Sequence, residues 1–168
     1  MAKQRSGQAK MLVDLLEQGY RRKSWHGPNL RGSLRRVSAF DAAWRPNPKR
    51  KSAWEIATHA AYWKYTVRRR LTGEKRGSFA VKGSNWFGLP ADRSEAAWRQ
   101  TLALLDREHA ALVGLVAKLS ESDLNAKAKG SSLTNLFVIT GIAYHDVYHA
   151  GQIQTLKRLC ADATGRNR

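Results

Sequence analysis

Cysteine is all but missing from this chain. Only Cys160 is present, so no intrachain disulfide can form and the fold has to rest on its apolar core. Nothing in that count requires an oxidising compartment, and a cytoplasmic location is the simplest expectation. Long apolar runs are missing as well. A membrane-spanning helix needs about 18 consecutive apolar residues, and here Lys, Arg, Glu or His interrupts each hydrophobic segment. No secretory leader is expected either, because the basic stretch MAKQRSGQAK runs into MLVDLLEQGY, which carries acidic residues and no small-residue cleavage site. Acidic side chains are scarce, 13 against 30 Lys and Arg, and the formal charge is +17. Such an excess favours non-specific attraction to polyanions without assigning a function. The cations fall in scattered clusters, among them Arg21-Arg22-Lys23, Lys49-Arg50-Lys51 and Arg68-Arg69-Arg70, and no basic arm emerges.

Strand-like alternation, internal repeats and low-complexity tracts are also lacking. With 42% hydrophobic residues in 168, one continuous core is affordable, so a single domain over residues 1–168 is expected, with flexible tails at about 1–7 and 162–168. Between residues 8 and 22, Met11, Leu12, Leu15, Leu16 and Gly19 recur at three- and four-residue intervals and predict a helical face. Trp25-His26-Gly27-Pro28 breaks it, and Leu30, Leu34, Val37 and Phe40 continue a helical pattern until Pro46 and Pro48. Ser52-Ala53-Trp54-Glu55 reads as a capping box opening a helix that runs to about Leu71 and stops at Thr72-Gly73. Residues 74–91, with Gly77, Gly83, Gly88 and Pro90, predict a long crossing loop whose Trp86 and Phe87 either anchor on the core or line a pocket. Asp92 and Glu95 suggest a second capping box, ahead of Trp98, Leu102, Leu105, His109, Leu112 and Val116 at helical spacing. Ser120-Glu121-Ser122-Asp123 reads as a turn, a polar stretch follows through Gly130, and a last long helix starts near Ser132. The expected class is all-α, an up-and-down four-helix bundle with a long crossing loop.

The chemistry concentrates in two of these helices. In the last one, Val138, Ile142, His145, His149, Ile153, Leu156 and Cys160 share a stripe, which turns both histidines inward. Residues four apart on a helix lie about 5–6 Å apart at Cβ, close enough for two imidazoles to hold one ion. In the second helix, Ile56, His59, Trp63 and Val67 place a third imidazole on an apolar face. Facing helices assemble metal sites in this way, and three histidines leave a coordination position open. Any one of them alone is more simply a satisfied core residue. Together, three unpartnered imidazoles would each cost about 1–3 kcal/mol of desolvation, which a shared cation offsets.

Several neighbours are weighed beside them. Gln152 and Asp146 are candidates to orient an imidazole or a metal-bound water, and Glu55 has a capping role already. Gly141 and Gly151 suggest close helix approach or else pocket volume, and Tyr144 and Tyr148 suggest core packing or else a border to the site. His26 and His109 read as structural, and Cys160 lies about three turns beyond His149, out of reach of the site.

SAWEIATHAAYWKY and HDVYHAGQI resemble the two motifs of the DinB/YfiT-like superfamily, and WHGPNL matches a feature of one of its branches. The resemblance covers nearly the whole chain. It implies a four-helix bundle that binds zinc, nickel or another divalent ion through His59, His145 and His149. Lys51 departs from the pattern, standing where related chains often carry a polar residue such as His. Members include thiol S-transferases that use bacillithiol and mycothiol-dependent isomerases, and many others have no established reaction. The resemblance therefore leads to a metal-dependent enzyme acting on a small-molecule substrate, with a low-molecular-weight thiol as co-substrate in its most concrete form. An ion there would lower the pKa of a bound water or thiol, and thiol transfer and hydrolysis remain alternatives. A homodimer is compatible with the sequence. A basic helical nucleic-acid-binding protein without catalytic activity is the competing function.

Overall fold

A computed structural model of the chain describes residues 7–127 and 131–166. Gly130, residues 1–6 of the expected N-terminal tail and residues 167–168 of the expected C-terminal one lie outside them. Seven helices form among the described residues: α1 (Gly7–Tyr20), α2 (Leu30–Ser33), α3 (Ala39–Ala43), α4 (Ala53–Thr72), α5 (Glu95–Val116), α6 (Glu121–Asn125) and α7 (Asn135–Ala163). They contain no strand, only an isolated bridge between Lys127 and Thr134. The all-α expectation holds. Among the described residues, no helix is long and apolar enough to cross a membrane.

Local chemistry sets the helix ends. Ser52 accepts from the Glu55 amide while the Glu55 carboxylate accepts from the Ser52 amide, the reciprocal capping expected there. At the other end of α4, Gly73 adopts φ 74°, a left-handed conformation that glycine takes without steric cost, and its amide closes the last turn on Arg69. The start of α5 differs from expectation. Ser94 is its N-cap, accepting from the Ala97 amide, and Asp92 instead accepts from the amide and hydroxyl of Ser94. Ser120 to Asp123 is a capping box opening α6 rather than a simple turn. Thr134 caps α7, which runs on to Ala163, and Arg166 returns to pair with Asp41 at 2.5 Å.

The four long helices pack in a ring, α4 against α5 and α7, α1 against α7 and α5. Trp54 of α4 and Trp98 of α5 meet at 5.1 Å between ring centroids, and each indole N–H has a partner, Thr101 Oγ1 at 2.9 Å and the Val37 carbonyl at 2.8 Å. At Gly19 α1 lies close against α7, and a Cβ there would lie 2.9 Å from the Ala143 carbonyl oxygen. Gly141 and Gly151, expected to permit such approach, are exposed with nothing near a would-be Cβ. Tyr144 and Tyr148 are likewise exposed rather than core.

The buried seam of α7 comprises Ile139, Ile142, Ala143, Asp146, His149, Ala150, Ile153 and Cys160. It keeps Ile142, His149, Ile153 and Cys160 of the expected stripe and adds Ile139, Ala143, Asp146 and Ala150, which leaves Val138, His145 and Leu156 half-buried at the edge. In α1 the seam is Ala9, Leu12, Leu16 and Tyr20, and Met11 is 72% exposed. Leu30, Leu34 and Val37 are buried as expected, whereas Phe40 is exposed.

Candidate metal centre

The edge of the α4–α7 interface brings His59, His145 and His149 together, with one nitrogen of each ring within 4.8 Å of the others. His145 Nε2 lies between its neighbours, 3.1 Å from His59 Nε2 and 3.0 Å from His149 Nε2. Metal–nitrogen bonds of about 2.0–2.1 Å set neighbouring ligand nitrogens on the order of 3 Å apart, so the spacing suits a single ion.

The outer nitrogens fix the tautomers. His59 Nδ1 donates to the Asn85 carbonyl at 2.8 Å, and His149 Nδ1 donates to Gln152 Oε1 at 2.6 Å. A neutral imidazole with its proton on Nδ1 carries a lone pair on Nε2, so both rings turn lone pairs toward His145 Nε2. A single proton on that atom could satisfy only one of them. The other contact would set lone pair against lone pair, and a cation at the shared point removes the conflict. Charging the rings is disfavoured: burial, then the neighbouring imidazoles, depress His145 to about 3, burial brings His149 to about 4, and burial lowers His59 as well. His145 Nδ1 is buried with no hydrogen-bond partner. The donor set therefore fits a divalent ion.

The crossing loop completes the cluster. Asn85 sits at φ 60°, a left-handed conformation that asparagine tolerates better than most residues. Its carbonyl holds His59, and its side-chain oxygen accepts from the Trp63 indole at 3.0 Å, so one loop residue clamps two side chains a turn apart on α4. Trp86 stacks on His59 with centroids 3.8 Å apart, while Phe87 is buried under the loop. Of the two roles weighed for this pair, Phe87 anchors and Trp86 covers the histidines. Gln152 passes the network on, its Nε2 donating to the Tyr148 hydroxyl at 3.0 Å. Beside the cluster, a cleft of about 750 Å³ opens between the segment before α4, Trp86 and α7.

Other residues weighed from sequence lie elsewhere. Asp146 is fully buried, and its carboxylate pairs with the equally buried Lys64 of α4. Burial dominates both groups, raising Asp146 and lowering Lys64 toward their neutral forms. This pair belongs to a polar cluster to which each long helix contributes. Lys64 Nζ lies 4.8 Å over the Tyr20 ring of α1, Tyr20 stacks at 3.9 Å on His109 of α5, and His109 Nε2 is 3.6 Å from Glu17 Oε1. Glu55 is fully enclosed, accepting from Arg45 at 2.8 Å and Lys51 at 3.1 Å as well as from its cap partner. His26 is exposed and Trp25 wholly so, and WHGPNL supplies a turn and the Asn29 cap of α2. Cys160 is buried near Asp41, away from the histidines in the chain.

Asn85 and Lys64 escaped the sequence-based reasoning. No periodic signal marks Asn85. Lys64 was detectable, because Ala53, Ala57, Ala60, Lys64 and Val67 form a buried stripe at alternating four- and three-residue spacing.

His109 gives the fold an acid sensitivity. Burial first, then Lys64, depress it to about 3, below the usual histidine value near 6.5. The unfolded chain then binds a proton that the folded chain refuses. This contribution is complete above about pH 6.5 and declines as pH falls toward 3, by at most about 1.4 kcal/mol per pH unit. His109→Phe is expected to flatten the fall in urea-unfolding stability between about pH 6 and pH 4. An unchanged slope would mean that His109 does not titrate on unfolding.

A helical ring carrying three histidines at the edge of one helix pair is the class of protein these features define. The DinB superfamily sequence profile matches residues 24–153, which include all three histidines and Gln152, and the chain belongs to that superfamily. No curated protein and no solved structure shows significant similarity to the chain.

Proposed function

We propose that this chain is a metal-dependent enzyme in which His59, His145 and His149 hold a zinc or nickel ion and Gln152 orients His149. Support comes from the three converging Nε2 atoms, one of whose two mutual contacts sets lone pair against lone pair without a cation. Three imidazoles leave an open position, at which a divalent ion acts as a Lewis acid and lowers the pKa of water or a thiol. The protein's own residues keep the site ready for that chemistry. The Asn85 carbonyl and Gln152 Oε1 hold both outer nitrogens protonated, which keeps the inner lone pairs aimed at a common point. Trp86 covers one face of His59 and excludes water from that side.

The most concrete activity is transfer of a low-molecular-weight thiol to a small electrophile in the cytoplasm, with hydrolysis of a small activated substrate as the alternative at the same site. Elemental analysis of protein purified without an affinity tag tests the foundation. Wild type is expected to carry about one zinc or nickel per chain and His145→Ala almost none. Equally low metal in both would overturn the proposal.

A further inference from the structure

The cleft beside the histidines has a charge pattern that the metal centre does not explain. One wall is the segment before α4, with Lys49, Arg50 and Lys51 in succession, and no acidic side chain lines the cleft anywhere. The nearest carboxylate, Glu55, is enclosed and already shared by Arg45, Lys51 and the Ser52 amide. Lys49 and Arg50 are exposed, and neither side chain has an ion-pair partner among the described residues. The opposite wall is α7, where Leu156 and Leu159 give an apolar surface. Trp86 and Gln152 line the same cleft and each touches a histidine, Trp86 by stacking on His59 and Gln152 by its bond to His149. The volume, about 750 Å³, is in the range that encloses a small organic molecule.

We propose that the small molecule reacted at this site is an amphipathic anion, its carboxylate or phosphate against Lys49 and Arg50 and its apolar body against Trp86, Leu156 and Leu159. Unneutralised cations beside an apolar wall recognise that combination. The anionic group finds charge-assisted donors there, and the body displaces water from Leu156, Leu159 and the indole. The assignment of this cleft as the substrate site rests on the metal-centre proposal, but binding of such an anion can be measured without turnover.

Isothermal titration of the full chain, loaded with zinc, with 2-naphthylacetate and with its neutral amide, 2-naphthylacetamide, tests this. The acid is expected to bind about tenfold more tightly than the amide. Lys49→Gln/Arg50→Gln is expected to bring the ratio near unity. Lys75→Gln/Arg76→Gln removes the same charge beyond the far end of α4, a helix about 30 Å long, and is expected to preserve the ratio. Equal binding of acid and amide by wild type, no binding of the acid, or a preference that survives Lys49→Gln/Arg50→Gln would each overturn the proposal. Metal content measured on the same samples keeps the two proposals apart. A preference that tracks Lys49 and Arg50 in protein unable to retain zinc would remove the metal centre and leave the anion cleft standing.

Discussion

Lys64→Ala is expected to lower the unfolding free energy by about 3–5 kcal/mol, a large part of the roughly 5–15 kcal/mol that holds a domain together. The substitution leaves the Asp146 carboxylate in the centre of the helical ring without its cation, and its other oxygen already has no hydrogen-bond partner. It also opens a space against Tyr20, whose ring lies beneath the ammonium. Urea titration at neutral pH measures the loss. Lys64→Met combined with Asp146→Leu removes both charges and keeps volume, and it is expected to regain most of that stability, because a buried ion pair contributes little beyond an apolar pair of similar size. A Lys64→Ala chain within about 1 kcal/mol of wild type would mean that Asp146 is neutral or hydrated in the folded protein.

Stripping the ion is expected to destabilise wild type and to leave His145→Ala unchanged. An ion at a free concentration a thousand times its dissociation constant stabilises the folded state by about 4 kcal/mol, and a chelator removes that contribution. Thermal melts with and without chelator, at a pH well above the depressed histidine values, read the difference directly. Gln152→Ala is expected to sit between the two, with metal affinity lowered about 10- to 100-fold through loss of the His149 orientation. Equal chelator-induced shifts in wild type and His145→Ala would show that the stabilising ion binds elsewhere.

Helix periodicity carried much of the fold. The capping box at Ser52 and the glycine stop at Gly73 were legible because each depends on residues within one turn. The place of Asp146 within the α7 seam was not. Val138, Ile142, His145 and Ile153 make a credible apolar stripe if Asp146 is assumed to need solvent, and only Lys64 on the neighbouring helix reverses that assumption. Lys64 can be placed on the seam of its own helix, but its pairing with Asp146 is a long-range pattern, invisible when helices are read singly. The three histidines could be grouped because each lies on the apolar face of its own helix, whereas Asn85 lies on no periodic face. Its effect depends on a left-handed backbone that turns its carbonyl onto His59. Asp92 looks like the cap in the sequence because Asp is an excellent one. Ser94, two residues on, holds the Ala97 amide and uses Asp92 as its own support.

The Asn85 clamp places a demand on a part of the chain that usually drifts freely. Loops ordinarily tolerate insertions and changes of length, but here a single added residue between Gly83 and Trp86 would swing the carbonyl off the imidazole and pull the indole from its face together. Loop length and the aim of an imidazole would have to vary in concert, so that relatives with the same helical interior and a re-cut loop would differ in the chemistry they run rather than in how well they fold.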